Sequence, residues 1–374
     1  MTVGIKWRRF ITPLRFKFKH ASADRAASSS IIVEINDGEF RGYGEACPRS
    51  YVTGETEESV TQFLNQHGKD WTNSINSVDA LKEKIEAEEK LINRNPAAFA
   101  ALEIALLDFF SQRENIPIEG LLKLPLLSDD IQYSAVVGDS GPFKTRAQSL
   151  VYHLIGFRDY KVKIGKDLGR DRKRFASLPS NIRLRVDANN LFTDPEECVN
   201  HLKSLGREIW AIEEPVRVGD VQGQSHVFEA MESRVVLDES LCRKEQLSSY
   251  QNANDKWIAN VRVSKCGGIL RSIDLARAAQ EQGVDVILGA HVGETSILSR
   301  AALTVGQSLN DPPLAREGAF GRILVTEDIS KPSLRFGFRG VLRSKRWNFA
   351  NLPGLGLLIN PECLFEANEK GSIV

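Results

Sequence analysis

Three carboxylate residues in the middle of the chain each end a short apolar run, at almost equal intervals. They are Asp187, Glu213 and Asp238, separated by 26 and 25 residues. Each interval leaves room for one strand, one helix and two loops. Because the carboxyl ends of neighbouring parallel strands meet at one mouth, the three side chains are expected to converge there. Hard oxygen ligands of this kind are typical of a Mg²⁺ site.

Each acid by itself also fits an ordinary structural role. Asp187 fits an Asx turn, Glu213 a charge at a helix start before Pro215, and Asp238 an N-cap. These roles do not explain why the spacing repeats or why each acid follows an apolar run. The repeat therefore favours a metal site that uses all three acids.

The elements that must position these acids alternate in type after about residue 126. Helical patterns such as 270–282 separate seven β-rich runs, which lie at 133–137, 160–164, 182–186, 209–212, 235–237, 258–263 and 284–288. Seven such units in roughly 190 residues are tight for a closed barrel, which usually takes about 250. A barrel is the predicted architecture, and an open doubly wound sheet is the alternative.

The two ends of the chain lack this alternation. Residues 31–35 and 40–45 predict a hairpin that turns at Asn36-Asp37-Gly38, and helical periodicity follows at 57–64, 78–91 and 97–110. The pattern predicts an α+β domain over residues 1–125 and a barrel over 126–317 that carries the metal site. Residues 318–374 look irregular and are expected to pack back onto the first domain.

Composition narrows the class of protein. The 374 residues contain 49 Lys plus Arg and 49 Asp plus Glu, which leaves no global field to attract nucleic acid or an anionic membrane. The five cysteines form no CxxC pair, so a zinc site is not expected. Their scattered positions fit a protein of the reducing cytoplasm, which is the expected location. No apolar run reaches membrane-spanning length.

Several short motifs, taken together with their order along the chain, resemble those of the enolase superfamily. The closer resemblance is to its muconate-lactonizing subgroup within the mandelate racemase/muconate lactonizing enzyme family. Besides the three acids, the motifs are Gly42-Tyr43-Gly44-Glu45-Ala46, Tyr51-Val52-Thr53-Gly54-Glu55-Thr56, Lys161-Val162-Lys163, Gly267-Gly268 and Pro353-Gly354-Leu355-Gly356. The subgroup includes dipeptide epimerases and o-succinylbenzoate synthases. The resemblance covers nearly the whole chain. It implies an α/β fold, a (β/α)7β TIM-type barrel with an N-terminal α+β capping domain completed by the C-terminal tail, and Mg²⁺ as cofactor.

The resemblance also implies roles for two lysines. Lys163 matches the acid/base lysine, and Lys161 matches the neighbour that lowers its pKa. Alternate residues of a strand share a face, so two ammonium groups would disfavour each other's protonation. A lysine that is tuned toward neutrality can remove a proton near pH 7. A lone Lys-x-Lys would instead predict a solvent-facing stripe, but this one lies one βα unit before Asp187.

The chain departs from the family pattern at two positions. Arg262 stands where members with two opposed bases carry a second lysine, and arginine is a poor base but a good partner for a carboxylate. Lys265 is the nearest lysine, and strand alternation predicts that it points to the opposite face unless a bulge intervenes. Near the eighth strand, only Glu317 could replace the Asp-x-Asp with which dipeptide epimerases hold the substrate ammonium.

The remaining candidates come from loops around the expected mouth. His291 follows the seventh strand, where a sister subgroup carries a second base; a histidine that is hydrogen-bonded within a loop is the alternative. His20, Arg25 and Tyr51 in the capping domain and Glu294 after His291 are expected to contact substrate, together with Glu317.

The predicted function is removal of the α-proton of a small-molecule carboxylate to form an enediolate. An isomerase of the cycloisomerase, racemase or epimerase kind is expected. The alternatives are a lyase, such as a syn-dehydratase or an o-succinylbenzoate synthase-like enzyme, and an inactive binding protein on the same fold. No nucleic-acid or membrane partner is expected, and a homo-oligomer is left open.

Overall fold

The structure is a computed structural model that describes residues 3–20, 23–250, 255–321, 324–343 and 349–359. The chain begins with an antiparallel sheet of β1 (Gly4–His20), β2 (Ala23–Asn36) and β3 (Arg41–Ala46). The predicted hairpin is confirmed, because β2 and β3 pair antiparallel. Gly38 lies in the turn with φ 98°, a conformation that glycine adopts without strain.

Six helices follow the first sheet: α1 (Glu57–Phe63), α2 (Lys69–Ser74), α3 (Val78–Ala87), α4 (Glu89–Arg94), α5 (Pro96–Glu114) and α6 (Ile118–Leu121). A π-helical turn, Leu64–Gly68, joins α1 to α2. The three predicted helical stretches are confirmed, but the second divides at Glu88, where φ −110° and ψ 22° leave the helical region.

Helix α5 is buried along most of its length and lies directly on β3. Gly42 and Gly44 make this close approach achievable, since a Cβ at either position would overlap the backbone carbonyl of Ala105 or Ala101. The glycines in the sequence Gly-Tyr-Gly-Glu-Ala are thus required by helix–sheet packing.

The second part of the chain alternates strands and helices around a seven-stranded parallel sheet. Its elements are β5 (Ala135–Val137), α7 (Pro142–Ile155), β6 (Asp159–Lys163), α8 (Leu168–Ala176), β7 (Arg183–Asp187), α9 (Pro195–Lys203), β8 (Ala211–Glu213), α10 (Val221–Met231), β9 (Arg234–Leu237), β10 (Trp257–Val261), α11 (Val263–Cys266), α12 (Ile269–Glu281), β11 (Asp285–Leu288) and α13 (Ser296–Gln307). A short strand before it, β4 (Ile131–Gln132), pairs with β12 (Val341–Leu342). A 3₁₀ helix, Lys244–Tyr250, replaces an α-helix between β9 and β10. All seven predicted strands are therefore confirmed.

The strand order from β5 to β11 follows the chain without reversal. A doubly wound sheet reverses its order at a switch point, so the alternative architecture was wrong. The segment 314–317 joins the two edges of the curled sheet: Glu317 N donates to the O of Leu288, the last residue of β11 (2.8 Å), and Ser134 N beside β5 donates to Arg316 O (2.8 Å).

Buried carboxylates from the N-terminal part cap helices of the parallel-sheet part. Glu103 on α5 accepts hydrogen bonds from the backbone N–H groups of Ile269 (2.9 Å) and Leu270 (2.7 Å) at the start of α12. Glu45 on β3 accepts from Thr295 N (2.9 Å) at the start of α13. A helix start leaves backbone donors unsatisfied, so these contacts fix the two parts of the chain against each other.

The end of the described chain returns to the first helices. Gly354 N donates to Ile116 O (3.0 Å) and Ile118 N donates to Gly354 O (3.0 Å), while Leu355 N donates to Asp108 Oδ1 (2.7 Å). Within the described ranges, no helix combines the length and the apolar character needed to cross a lipid bilayer.

Candidate active site

Asp187, Glu213 and Asp238 lie at the carboxyl ends of three neighbouring strands. Asp187 ends β7 in register with Glu213 at the end of β8, and Asp238 directly follows β9. All three side chains are fully buried. The even spacing in the sequence thus corresponds to one acid on each of three adjacent strands.

The turns after these strands are shaped by the acids and their neighbours. Asp187 Oδ1 accepts from Asn189 N (3.0 Å), so the Asx turn is present. Glu214, which sequence reasoning did not assign to the site, accepts from Asp238 N (2.6 Å) and Ser240 N (2.8 Å). Burial raises the pKa of Glu214 to about 8, and nearby Glu239 adds to the rise. The adjacent acids Glu213-Glu214 in the sequence are the signal by which the supporting role of Glu214 could have been predicted.

Lys161 and Lys163 on β6 both reach the acids. Lys163 Nζ lies 2.9 Å from Asp187 Oδ2 and 2.5 Å from Asn189 Oδ1. Lys161 Nζ lies 3.2 Å from Glu213 Oε1 and 3.6 Å from Asp187 Oδ2. Burial lowers the pKa of Lys161, but the surrounding carboxylates, Glu213 foremost, raise it above its ordinary value. At Lys161 these acids outweigh the positive charges nearby, and the tuning of Lys163 by Lys161 stays a prediction.

Arg262 occupies the mouth, and Lys265 lies beneath it. Arg262 Nη2 lies 3.3 Å from Glu213 Oε1 and also contacts the carboxylate of Asp238. Lys265 Nζ is buried, 3.1 Å from Asp238 Oδ1, and donates to Asn260 O (2.7 Å). The alternation argument for Lys265 was wrong because β10 ends at Val261, and Lys265 projects from the helical turn α11.

The three acids suit Mg²⁺ in donor type. Asp187 Oδ2 and Asp238 Oδ2 are buried oxygens that accept no hydrogen bond, although cationic side chains lie beside them. Within the described part of the chain, no three His, Cys, Asp or Glu side chains are grouped closely enough to hold a metal ion. The cations of Lys161 and Arg262 lie between the acids instead, so a bound metal would have to displace them from that position.

A cavity of about 400 Å³ opens over these residues. Its lining combines charged groups with apolar side chains: Lys161, Lys163, Glu239, Arg262, His291, Glu317, Tyr51, Val136, Val292, Phe320 and Leu324. Asp139, Lys144 and Arg170 also line it. Tyr51, Arg262, His291 and Glu317 therefore share one cavity with both lysines, as their prediction as site residues requires. The side chains of His20 and Arg25 lie outside the described residues.

Glu294 supports the His291 loop rather than lining the cavity. Its carboxylate accepts from His291 N (3.0 Å) and from Ser299 Oγ (3.2 Å), and burial raises its pKa to about 8. Arg49, which follows β3, holds the same loop by donating to Val292 O (2.9 Å). The expected substrate contact of Glu294 has no geometric support here, because its two carboxylate oxygens accept from the loop backbone and from Ser299 of α13.

Comparison with known proteins adds the following relatives. Residues 144–363 match the family model described as "Enolase C-terminal domain-like". N-succinyl-L-Arg/Lys racemase of Bacillus cereus is 26% identical over 361 residues, which cover 95% of this chain and 94% of that protein. Hydrophobic dipeptide epimerase of Enterococcus faecalis is 27% identical over 297 residues, covering 77% and 82%.

Solved structures also resemble this chain. The crystal structure of the Bacillus cereus racemase matches with a TM-score of 0.81 at 26% identity, covering 99% of this chain and 98% of that one. 2-Chloromuconate cycloisomerase of Rhodococcus opacus matches with a TM-score of 0.87 at 20% identity, covering 99% and 100%, a likeness of fold alone. Since the family model spans more than half of the chain, the protein belongs to the enolase C-terminal domain-like family, and its resemblance to the enolase superfamily is confirmed.

Proposed function

We propose that the protein is a Mg²⁺-dependent isomerase that removes the α-proton of a carboxylate substrate to form an enediolate. The observation that carries this proposal is that Lys163 and Arg262 line one cavity beside Asp187, Glu213 and Asp238. The relatives named above are a racemase and an epimerase.

Asp187, Glu213 and Asp238 would hold the metal, which when bound would supply positive charge to the substrate carboxylate. Lys163 would take the α-proton, because its Nζ lies at the cavity surface and is aimed by Asp187 and Asn189. Lys161 would stay charged between its carboxylates and would orient the site without moving protons.

Arg262 would bind a substrate oxygen and would not act as the second base. Burial lowers its pKa, but Asp238 and Glu213 raise it further above an already high value. Racemisation needs proton transfer on both faces, which leaves His291 as the proposed second group in the cavity. If His291 does not transfer protons, a one-sided cycloisomerisation or a lyase reaction on the Lys163 face is the second candidate, and the arginine at position 262 favours it.

Glu317 argues for substrates without a free α-ammonium. Its two oxygens lie 2.6 Å from Lys161 and 2.7 Å from Arg185, so both already face cations. Glu317 has no second acid to complete the family's Asp-x-Asp, because Ala315 and Ala319 stand two residues before and after it. We therefore propose N-acylated or non-amino carboxylates rather than dipeptides.

We further propose the (β/α)7β barrel, with the segment 314–317 as the eighth position. The proposed division is a capping domain over 1–125, a barrel over 126–317, and a tail over 318–374 that completes the cap. The contacts of Gly354 and Leu355 with the first helices support this division. A cytoplasmic location is proposed because the described cysteines, Cys47, Cys198, Cys242 and Cys266, form no disulfide.

The test is deuterium exchange in D₂O over a library of acids, N-acylamino acids and dipeptides, with and without Mg²⁺. We expect Mg²⁺-dependent α-exchange by the wild type and its loss in Lys163→Ala. Exchange with inversion that disappears in His291→Asn would establish two-sided chemistry, whereas exchange with retention favours the one-sided reaction. Mg²⁺ binding without exchange of any library member would favour the inactive binding protein.

A further inference from the structure

A second cavity, of about 330 Å³, opens at the amino ends of the strands. It is lined by residues at the beginning of β6 and β7, by the stretch before β5 and by the segment 314–316. The proposed catalytic residues lie at the opposite, carboxyl ends of the same strands. This amino-end cavity is therefore separate from the active-site mouth.

Four arginines line the amino-end cavity: Arg158, Arg183, Arg316 and Arg339. Among the residues that the structure describes, Asp159 is the one acid in its wall, 3.6 Å from Arg183 Nη1. Arg158, Arg316 and Arg339 form no ion pair within those described residues. This excess of three positive charges stands in a chain whose overall charge is zero.

Two of the arginines are held in place by neighbours other than acids. The Arg183 guanidinium lies 3.6 Å over the Trp210 ring and donates to Leu314 O (3.1 Å). Arg158 donates to Phe157 O (2.8 Å). Such contacts fix the direction of a guanidinium without neutralising it; Arg183 faces Asp159 in addition, whereas Arg158 pairs with no acid among the described residues.

Arg316 is the least exposed arginine of the four. It is partly buried, and burial lowers its pKa. A guanidinium that is withdrawn from water without an acid beside it is unfavourable, and a bound anion would offset this. Arg316 also lies next to Glu317 in the chain, so the wall of this cavity and the wall of the active site are formed by one segment.

We propose that the amino-end cavity binds a small phosphate-type anion carrying at least two negative charges, either inorganic or as part of a phosphorylated metabolite. Several guanidinium forks around one space match tetrahedral, multiply charged oxygens. The volume of the cavity admits a phosphate, a diphosphate or a compact phosphate ester.

The test is calorimetric titration of the full chain with inorganic phosphate, pyrophosphate and glycerol phosphate in EDTA-containing buffer, so that no divalent cation competes for them. Arg158→Met and Arg339→Met remove exposed members of the group and leave the core intact. Each is expected to weaken binding about tenfold, as loss of one charge-assisted contact does, and the double variant further. The control Arg172→Met removes an exposed arginine of α8 outside the cavity and should bind as the wild type does.

Tighter binding of glycerol phosphate than of inorganic phosphate would assign the site to a phosphorylated metabolite, and the reverse order to the free anion. The proposal would be overturned by absence of binding at millimolar concentrations or by equal affinity of all arginine variants. It would also be overturned by loss of binding in Lys163→Ala, which would place the anion in the active-site mouth.

Discussion

Lys161 and Glu317 form a buried ion pair, with 2.6 Å between Lys161 Nζ and Glu317 Oε2, that joins β6 to the segment after β11. The second oxygen, Oε1, lies 2.7 Å from Arg185 Nη2 on β7. Burial raises the pKa of Glu317, but Lys161 and Arg185 lower it below its ordinary value. The carboxylate therefore stays charged and holds the proposed catalytic strand in place.

Glu317→Gln should destabilise the protein, since Lys161 and Arg185 each lose a buried counter-charge. Removing one partner of a buried pair costs about 3–5 kcal/mol of unfolding free energy. Urea denaturation measures this loss. The matched control is Glu114→Gln at the exposed end of α5, which should change stability by less than about 0.5 kcal/mol. Equal stability of Glu317→Gln and wild type would mean that the pair contributes nothing.

Arg262→Lys keeps a positive charge but loses the planar fork. With the substrate found in the exchange screen, we expect kcat/KM to fall about 10- to 100-fold, because a charge-assisted hydrogen bond is worth about 1.5–3 kcal/mol. The same variant is expected to introduce slow racemisation, since lysine can act as a base. Arg262→Met should raise KM while Mg²⁺ binding is largely kept. Unchanged kinetics in both variants would remove Arg262 from substrate binding.

Asp238→Asn should weaken Mg²⁺ binding by at least about tenfold, because it replaces a charged oxygen ligand with a neutral one. The measurement is the rise in melting temperature with added Mg²⁺, which reports binding to the folded state. Asp311→Asn, at an exposed position, is the control and should bind Mg²⁺ as the wild type does. Equal affinity in Asp238→Asn would exclude Asp238 as a ligand.

Glu103 should make stability depend on pH. Burial raises the pKa of Glu103 to about 7. The hydrogen bonds from the backbone N–H groups of Leu270 and Ile269 lower this pKa but do not outweigh burial. A carboxyl with a raised folded-state pKa binds its proton more tightly when folded, so its stabilisation is present below its unfolded pKa of about 4.3 and is lost as pH rises to about 7.

Glu103→Gln cannot ionise and should escape this loss. The unfolding free energy of wild type minus that of Glu103→Gln is expected to fall by roughly 3 kcal/mol between pH 4 and pH 8. Denaturant titrations at several pH values measure the difference. Parallel stability curves for the two proteins would show that Glu103 has the same pKa in the folded and unfolded states.

Gly44→Ala should destabilise the packing of β3 on α5, because the added Cβ would overlap the carbonyl of Ala101. Overpacking against backbone costs about 1–3 kcal/mol. The control is Gly169→Ala inside α8, where a Cβ makes ordinary contact and should stabilise the helix by about 0.5–1 kcal/mol. Opposite signs for the two variants in thermal unfolding are the expected result, and a neutral Gly44→Ala would show that β3 can shift.

Local pattern was sufficient for the strands, the hairpin and the three acids. The period of apolar residues depends on neighbours along the chain, and the parallel arrangement follows from strand–helix alternation. The sequence alone thus assigns Asp187, Glu213 and Asp238 to the ends of adjacent strands. The departure from the family pattern at Arg262 could also be recognised from the sequence, because it requires only the identity of the residue at a motif position.

Only the tertiary structure decided which charges meet. Lys265 reaches Asp238 because β10 ends early, and Glu294 turns to its own loop, neither of which a strand pattern predicts. The partners of Glu317 and Glu103 lie more than 100 residues away in the chain. Electrostatic and hydrogen-bond energies depend on distance in space and on burial, which the sequence leaves open until the chain has folded.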